Sequence, residues 1–198
     1  MRRIRYAVAT SLDGYIAGPN GEADWIIMDP DIDFGALYKQ FDTVLVGRRT
    51  FDTMAAAGQR GIPGMRTFVV SRTMRQRDHR DVTVLGEGWE KTVGALRAKA
   101  GKDIWLFGGG SLFRSLLEAR LVDTVEIAIM PVLIGGGIPM LPAPAEQTRL
   151  ELTGHRIYGT GSVSVEYAVK HALPDEGLQP AKARRRSRRK APRERPRG

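Results

Sequence analysis

Short apolar runs that end at glycine, or at hydroxyl and basic residues, recur through the first two-thirds of this chain. Ile4–Ala9, Thr43–Val46, Arg66–Ser71, Val82–Leu85 and Ile104–Phe107 are mostly apolar, as strands covered on both faces are. Between them the spacing turns helical. Phe34, Leu37, Tyr38 and Phe41 share one face of a helix expected over Asp33–Phe41. A second helix is expected to start near Phe51, and a third over Glu90–Ala100 with Val93 and Leu96 inward and Gly101 as its stop. Leu112, Phe113, Leu116 and Leu117 mark a fourth. Strands and helices in alternation predict an α/β domain. The last third differs: Thr124–Met130 alternates as a strand, and Leu150–Ile157 with Ser162–Val169 form an antiparallel hairpin about Tyr158–Gly161.

Three strand ends carry related chemistry. They are Gly47-Arg48-Arg49-Thr50, with Thr50 a potential helix cap, Ser71-Arg72-Thr73, and Gly108-Gly109-Gly110-Ser111. A glycine turn that runs straight into a helix presents bare N–H groups and the positive end of the helix dipole, and lets a phosphate come close to the main chain. Arginine forks match phosphate oxygens. Each stretch alone has a plainer explanation, a tight turn or a solvated surface. In an open α/β sheet, however, ligands bind beyond the carboxyl ends of the strands, so all three would share one rim. The glycine spacing is not the Rossmann fingerprint, because Phe113 stands where its third glycine would be. A second triplet lies in Pro131–Leu141. No helical pattern follows it, and it is expected to be a tight structural loop.

Two further stretches are candidates for chemistry. Thr10–Gly21 is long and turn-rich, with Asp-Gly, Gly-Pro and Asn-Gly pairs beside the first strand. Asp29, Asp31 and Asp33 alternate just ahead of a helix. They are either caps or, one of them, a site acid.

Composition narrows the classes. The chain has 198 residues, 42% of them hydrophobic, enough for one full core. The absence of cysteine excludes disulfides, thiolate zinc sites and cysteine nucleophiles. His79, His155 and His171 are far apart, so no metal site is expected. No apolar run approaches a membrane span and no signal-peptide core is present, which predicts a cytoplasmic protein. The formal charge of +9 belongs to one end. Lys182–Gly198 holds ten Lys or Arg against Glu194, which leaves 21 basic and 21 acidic groups in residues 1–181. Residues 173–198 are therefore expected to be a disordered Arg-rich tail behind a domain of residues 1–172. Such a tail could give weak, salt-sensitive nucleic-acid contact, or could be a solubilising extension.

Ser11-Leu-Asp-Gly-Tyr-Ile-Ala17, Val46-Gly-Arg-Arg-Thr-Phe51, Val70-Ser-Arg72, Trp105-Leu-Phe-Gly-Gly-Gly-Ser-Leu112, Leu121-Val-Asp123 and Pro131–Pro139 occur in an order that resembles the dihydrofolate reductase-like superfamily. The similarity is to its riboflavin-biosynthesis branch, the C-terminal reductase domain of bacterial deaminase/reductase proteins, and covers residues 1 to about 170. The resemblance implies a dihydrofolate reductase-like three-layer α/β fold, with a mixed, mostly parallel central sheet and a C-terminal antiparallel hairpin. It also implies an NADPH-dependent oxidoreductase, usually a homodimer, acting on a pyrimidine or pterin-like ring. By position, Phe107, Gly108, Gly109, Gly110, Ser111 and Leu112 would hold the cofactor pyrophosphate. Gly47, Arg48, Arg49 and Thr50 would hold phosphates from the next junction. Ser71 and Arg72 would face the adenosine 2′-phosphate, and Asp13, Gly14 and Ile16 would border the nicotinamide. Asp31 lies nearest the place of the superfamily's acid, with Asp33 as alternative. With no cysteine for a deaminase zinc motif, a bifunctional enzyme is not expected. Two other classes remain open: a nucleic-acid-associated protein acting through the tail, and a cofactor-binding protein without catalysis.

Overall fold

The computed structural model describes residues 1–171, so the basic tail and the domain boundary at 172/173 lie outside the described residues. Ten strands and four helices follow the chain: β1 (Ile4–Ser11), β2 (Tyr15–Ala17), α1 (Phe34–Tyr38), β3 (Phe41–Gly47), α2 (Arg48–Ala56), β4 (Arg66–Val70), β5 (Thr83–Leu85), α3 (Trp89–Ala98), β6 (Asp103–Gly108), α4 (Gly110–Glu118), β7 (Thr124–Met130), β8 (Ile138–Pro139), β9 (Arg149–Ile157) and β10 (Val163–Lys170). Eight strands form one sheet in the order β5-β4-β3-β6-β1-β7-β10-β9. The first six of these run parallel. β10 pairs antiparallel with β7 and with β9, which closes the sheet as the expected hairpin. This is the dihydrofolate reductase-like α/β fold, its mixed sheet mostly parallel.

Helices cover both faces, and the two-residue strand period sorts the core between them. Ile4, Tyr6, Leu45, Ile104 and Leu106 meet Val93 and Leu96 of α3 and Leu112, Phe113 and Leu116 of α4. Val44, Val46, Val69 and Trp105 meet Phe51 and Met54 of α2 on the other side, with Leu37 of α1 packed on them. The Phe113 ring stacks on Tyr6 with centroids 3.8 Å apart. Charge enters at the opposite end of the strands from the glycine turns. Arg5 donates to both Glu126 oxygens at 2.7 Å and lies over the Phe41 ring, while Arg2 pairs with Asp42.

Two helix boundaries and one strand pairing stand out against expectation. The first helix ends at Tyr38 rather than Phe41, because the Asp103 N–H donates to Gln40 O and Phe41 opens β3 in register with Asp103. Strand pairing overrides the helical spacing there. The second helix starts at Arg48, not near Phe51, so its cap is Gly47 and Thr50 is a helical residue. A separate two-stranded sheet, β2 against β8, joins the Ser11–Ala17 loop to the second glycine loop.

Candidate functional site

β4, β3 and β6 are neighbours in the sheet and parallel, so Ser71–Thr73, Gly47–Thr50 and Gly108–Ser111 meet on one rim. The approach is close: a Cβ on Gly47 would stand 3.7 Å from the Gly109 nitrogen and 3.8 Å from Gly108 O. Two helices start at this point. α2 has Gly47 and α4 has Gly109 as N-cap, and neither cap supplies a side-chain acceptor. The first N–H groups of both helices are thus left for a ligand, with both dipoles favouring an anion.

The three glycines of the triplet do different work. Gly108 has φ +148°, a conformation that L side chains rarely adopt. Gly109 has ordinary extended angles, φ −95° and ψ −170°, but its missing Cβ would lie 3.2 Å from Thr50 Oγ1 and 3.9 Å from Ile16 Cδ1. Gly110 is buried, and its missing Cβ would fall 2.4 Å from Pro139 O and 2.7 Å from Met140 O. Gly110 therefore allows packing, and Gly109 lets Thr50 and Ile16 come close to the main chain. Ser111 is exposed on the first turn of α4 and Leu112 is buried beneath it. Phe107 lies edge-on to Trp105 at 5.2 Å, and Tyr38 of α1 lies 5.6 Å from Trp105.

The arginines divide into held and free. Arg48 Nε donates to Asp52 Oδ2 at 2.7 Å, and Nη1 donates to Thr73 Oγ1 at 3.1 Å. Ser71 Oγ accepts from the N–H of Thr73 and of Met74, at 3.2 and 3.0 Å, which shapes the turn at the end of β4. Arg49 and Arg72 are exposed and have no ion pair among the described residues. The donor set suits a dinucleotide phosphate: two uncapped helix starts, a glycine main chain between them, hydroxyls and unpaired guanidinium groups.

The Ser11–Ala17 loop reaches the same place through Ile16. Asp13, expected beside the cofactor, uses its carboxylate on the second glycine loop, accepting from Gly135 N–H at 2.8 Å and Ile134 N–H at 3.3 Å. Hydrogen bonding with Ser11 and with those N–H groups holds its carboxyl below the ordinary carboxylate range. Gly14 O accepts from Met140 N–H at 3.0 Å. In the second triplet Gly137 serves packing: it has φ +151°, and a Cβ there would overlap Ala17 O at 2.2 Å.

The carboxylates ahead of α1 separate sharply. Asp33 caps α1, its Oδ1 accepting from Ala36 N–H at 2.8 Å. Asp31 has 68% of its side chain exposed, 3.9 Å from Arg156. The buried member is Asp29, only 3% exposed. Its Oδ1 accepts from Asp31 N–H at 2.9 Å and its Oδ2 from Thr160 N–H at 3.2 Å. Hydrogen bonds from Thr160, then from Asp31, hold its carboxyl below the usual range, so it is ionised at neutral pH. Of the two candidate acids, Asp33 is thus a helix cap and Asp31 an exposed side chain. Asp29 is the carboxylate the sequence passed over, and its partner is 131 residues away. No group of three or more His, Asp or Glu suited to a metal occurs among the described residues, and no helix there is long and apolar enough to cross a membrane.

Comparison with known proteins agrees with this architecture. The family model for the RibD C-terminal domain matches residues 2–164. The uncharacterized protein YyaP of Bacillus subtilis (strain 168) is 34% identical over 178 residues, covering 84% of this chain and 94% of YyaP. A Shewanella sp. PV-4 protein assigned to riboflavin biosynthesis is 27% identical with TM-score 0.73, covering 86% of this chain and 99% of that one. Dihydrofolate reductase from Enterococcus faecalis, complexed with NADP(H), shares the fold at TM-score 0.64 and 18% identity, over 84% of this chain and 96% of its own. The chain belongs to the RibD C-terminal domain family, a reductase-like family.

Proposed function

We propose that this protein is an NADPH-dependent reductase that passes hydride to a small pyrimidine or pterin-like ring. The observation that carries the proposal is the meeting of the uncapped starts of α2 and α4 at Gly109. NADPH would supply the hydride when bound. The chain's own groups would bind and orient it: the N–H groups of Gly109, Gly110 and Ser111 at the pyrophosphate, those of α2 beside them, and Arg49 and Arg72 toward the 2′-phosphate. Ile16 would border the ring end. The test is NADPH oxidation against a panel of pterins and of ribityl- and ribosyl-aminopyrimidines, with the protein silent on the whole panel as the contrary result.

Preference for NADPH over NADH is expected from the unpaired arginines. A charge-assisted contact is worth about 1.5–3 kcal/mol, roughly tenfold to a hundredfold in affinity. Equal affinities in fluorescence titration would remove the 2′-phosphate assignment.

The proton that accompanies the hydride has no enclosed donor in the 29–33 segment. Asp33 is committed to its cap, Asp29 is ionised, and Asp31 is exposed. Solvent is the donor we assign. Asp31→Asn is then expected to turn over within about twofold of the unaltered protein, whereas loss of a general acid slows a reaction roughly a hundredfold or more. A loss of that size in steady-state rate would return the role to Asp31.

A further inference from the structure

The parallel strands begin, and β10 ends, at the end of the sheet opposite the glycine turns. Asp42, Asp103, Asp123 and Glu126 reach that end, none of them with a side chain more than 30% exposed. Each is held by an arginine: Asp42 by Arg2, Asp103 by Arg3, Asp123 by Arg97 and Glu126 by Arg5. The exposed layer over them is basic. In sheet order, Arg66, Lys39, Lys102, Arg3, Arg120 and Lys170 stand exposed at, or just outside, the ends there of β4, β3, β6, β1, β7 and β10. Backbone bonds fix these places. Lys102 N–H donates to Asp42 Oδ2 at 3.0 Å, Arg3 N–H to Asp103 Oδ1 at 3.1 Å, and Asp103 N–H to Gln40 O at 3.1 Å. Lys99 joins the same layer, because Arg2 N–H donates to Arg97 O at 2.9 Å and ties the end of α3 to the start of β1. Lys39, Lys99, Lys102 and Arg120 have no ion pair among the described residues. The exposed acids nearby are paired already, Glu118 with Arg114, Glu151 with Lys170 and Asp81 with Arg60. His171 Nε2 lies 2.9 Å from Val122 O, so residues 172–198, with ten Lys or Arg from Lys182 on, follow from this face.

We propose that this end of the domain, together with the Arg-rich stretch that follows it, is a binding surface for the phosphate backbone of duplex nucleic acid. From β4 to β10 the strand ends span five steps of about 4.8 Å, roughly 24 Å. That is the length of about seven base pairs at 3.4 Å each, with a cation at every strand. β1 has eight residues and sets the two ends of the sheet roughly 25 Å apart, so a duplex at one end leaves the glycine rim open. Phosphate contacts carry no sequence information, and no aromatic residue follows His171 to stack on a base, so binding is independent of sequence. An anionic bilayer attracts the same charges, but stable attachment there takes an apolar anchor as well. From Lys182 on, the only apolar side chains are those of alanine and proline. The proposal goes beyond the cofactor assignment and does not depend on it.

The anisotropy of a short labelled DNA duplex of mixed sequence is measured with the full chain across a salt series. Binding is expected at low salt, with log K falling linearly in log salt. The combined variant Lys99→Gln, Lys102→Gln, Arg120→Gln should lose about tenfold or more in affinity, and its slope should flatten by roughly 2.7, about 0.9 for each phosphate contact. Deletion of residues 179–198 should weaken binding yet leave a salt-dependent remainder, which the three substitutions then remove. Lys91→Gln takes an exposed cation from the other end of α3 and should bind within about twofold of the unaltered chain, unlike Lys99→Gln. NADPH should not displace the duplex. Unaltered affinity and slope in the combined variant would confine binding to the C-terminal stretch and overturn the face. An equal loss in Lys91→Gln and Lys99→Gln would reduce the effect to net charge and overturn it too. Displacement by NADPH would put the duplex on the glycine rim, and tighter retention by phosphatidylserine vesicles than by DNA would make the partner a membrane. Either result overturns the proposal, as does absence of binding at low salt.

Discussion

Gly109→Val is expected to weaken NADPH binding by a hundredfold or more, roughly 2.7 kcal/mol, while the protein stays folded. Gly109 has extended backbone angles that any residue adopts, so valine imposes no left-handed conformation there. Its Cβ would stand 3.2 Å from Thr50 Oγ1, the end of a side chain that can rotate away, and 3.9 Å from Ile16 Cδ1. The methyl groups would project into the space between the two helix starts, where the pyrophosphate is proposed to lie. Ser111→Glu is expected to reach the same result through charge. Ser111 is exposed on the first turn of α4, where a carboxylate favours the helix and repels a phosphate. Titration of both variants by NADPH fluorescence, with circular dichroism as the folding control, checks the outcome. Two folded variants with normal affinity would make the triplet a turn and nothing more.

The parts of this fold that were legible in the sequence are those whose signal is local. Val44 to Val46, and Ile104 to Leu106, are buried on both sides, so their apolar runs marked central strands directly. Because those strands are parallel neighbours, three ordinary-looking turns implied a common rim. Less legible was whatever depends on partners far away in the chain. β2 and β8 hold three and two residues, too few to show a period, and they pair across more than a hundred positions. Phe41 fits the helical face of Phe34 and Leu37, yet it lies under Arg5 and starts a strand, because β6 offers backbone partners that a short helix lacks. The same limit explains the carboxylates. Asp29, Asp31 and Asp33 alternate evenly, and spacing from Gly47 favoured Asp31. Which of them turns inward was decided by the Thr160 N–H on a distant hairpin. Asp13 lies in the loop that carries Ile16 to Gly109, but its carboxylate binds the backbone of residues 134 and 135.

Gly110→Val is expected to lower stability by about 3 kcal/mol or more, above most overpacking substitutions. For a domain of this size that is a fall of roughly 6–12 °C in melting temperature. The reason is what the new side chain would meet. Its Cβ would fall 2.4 Å from Pro139 O, 2.7 Å from Met140 O and 3.0 Å from Pro142 Cδ, two of them backbone atoms. Neither side can yield cheaply. Pro139 is paired with Tyr15 in the small sheet, Met140 N–H is bonded to Gly14 O, and Arg114 of α4 reaches Pro144 O at 3.2 Å. On the helix side, Phe113 is 2% exposed and stacked on Tyr6, so α4 cannot lift without opening the core. The backbone that moves would be β8, and β2 with it. Since β2 carries Ile16 to Gly109, NADPH affinity should fall together with stability, whereas in Gly109→Val it falls alone. Thermal unfolding beside titration separates the two cases. A Gly110→Val protein that melts within about 2 °C of the unaltered chain, against the shift expected from backbone overlap, would show that the Pro139–Pro142 segment is not packed on α4 as described.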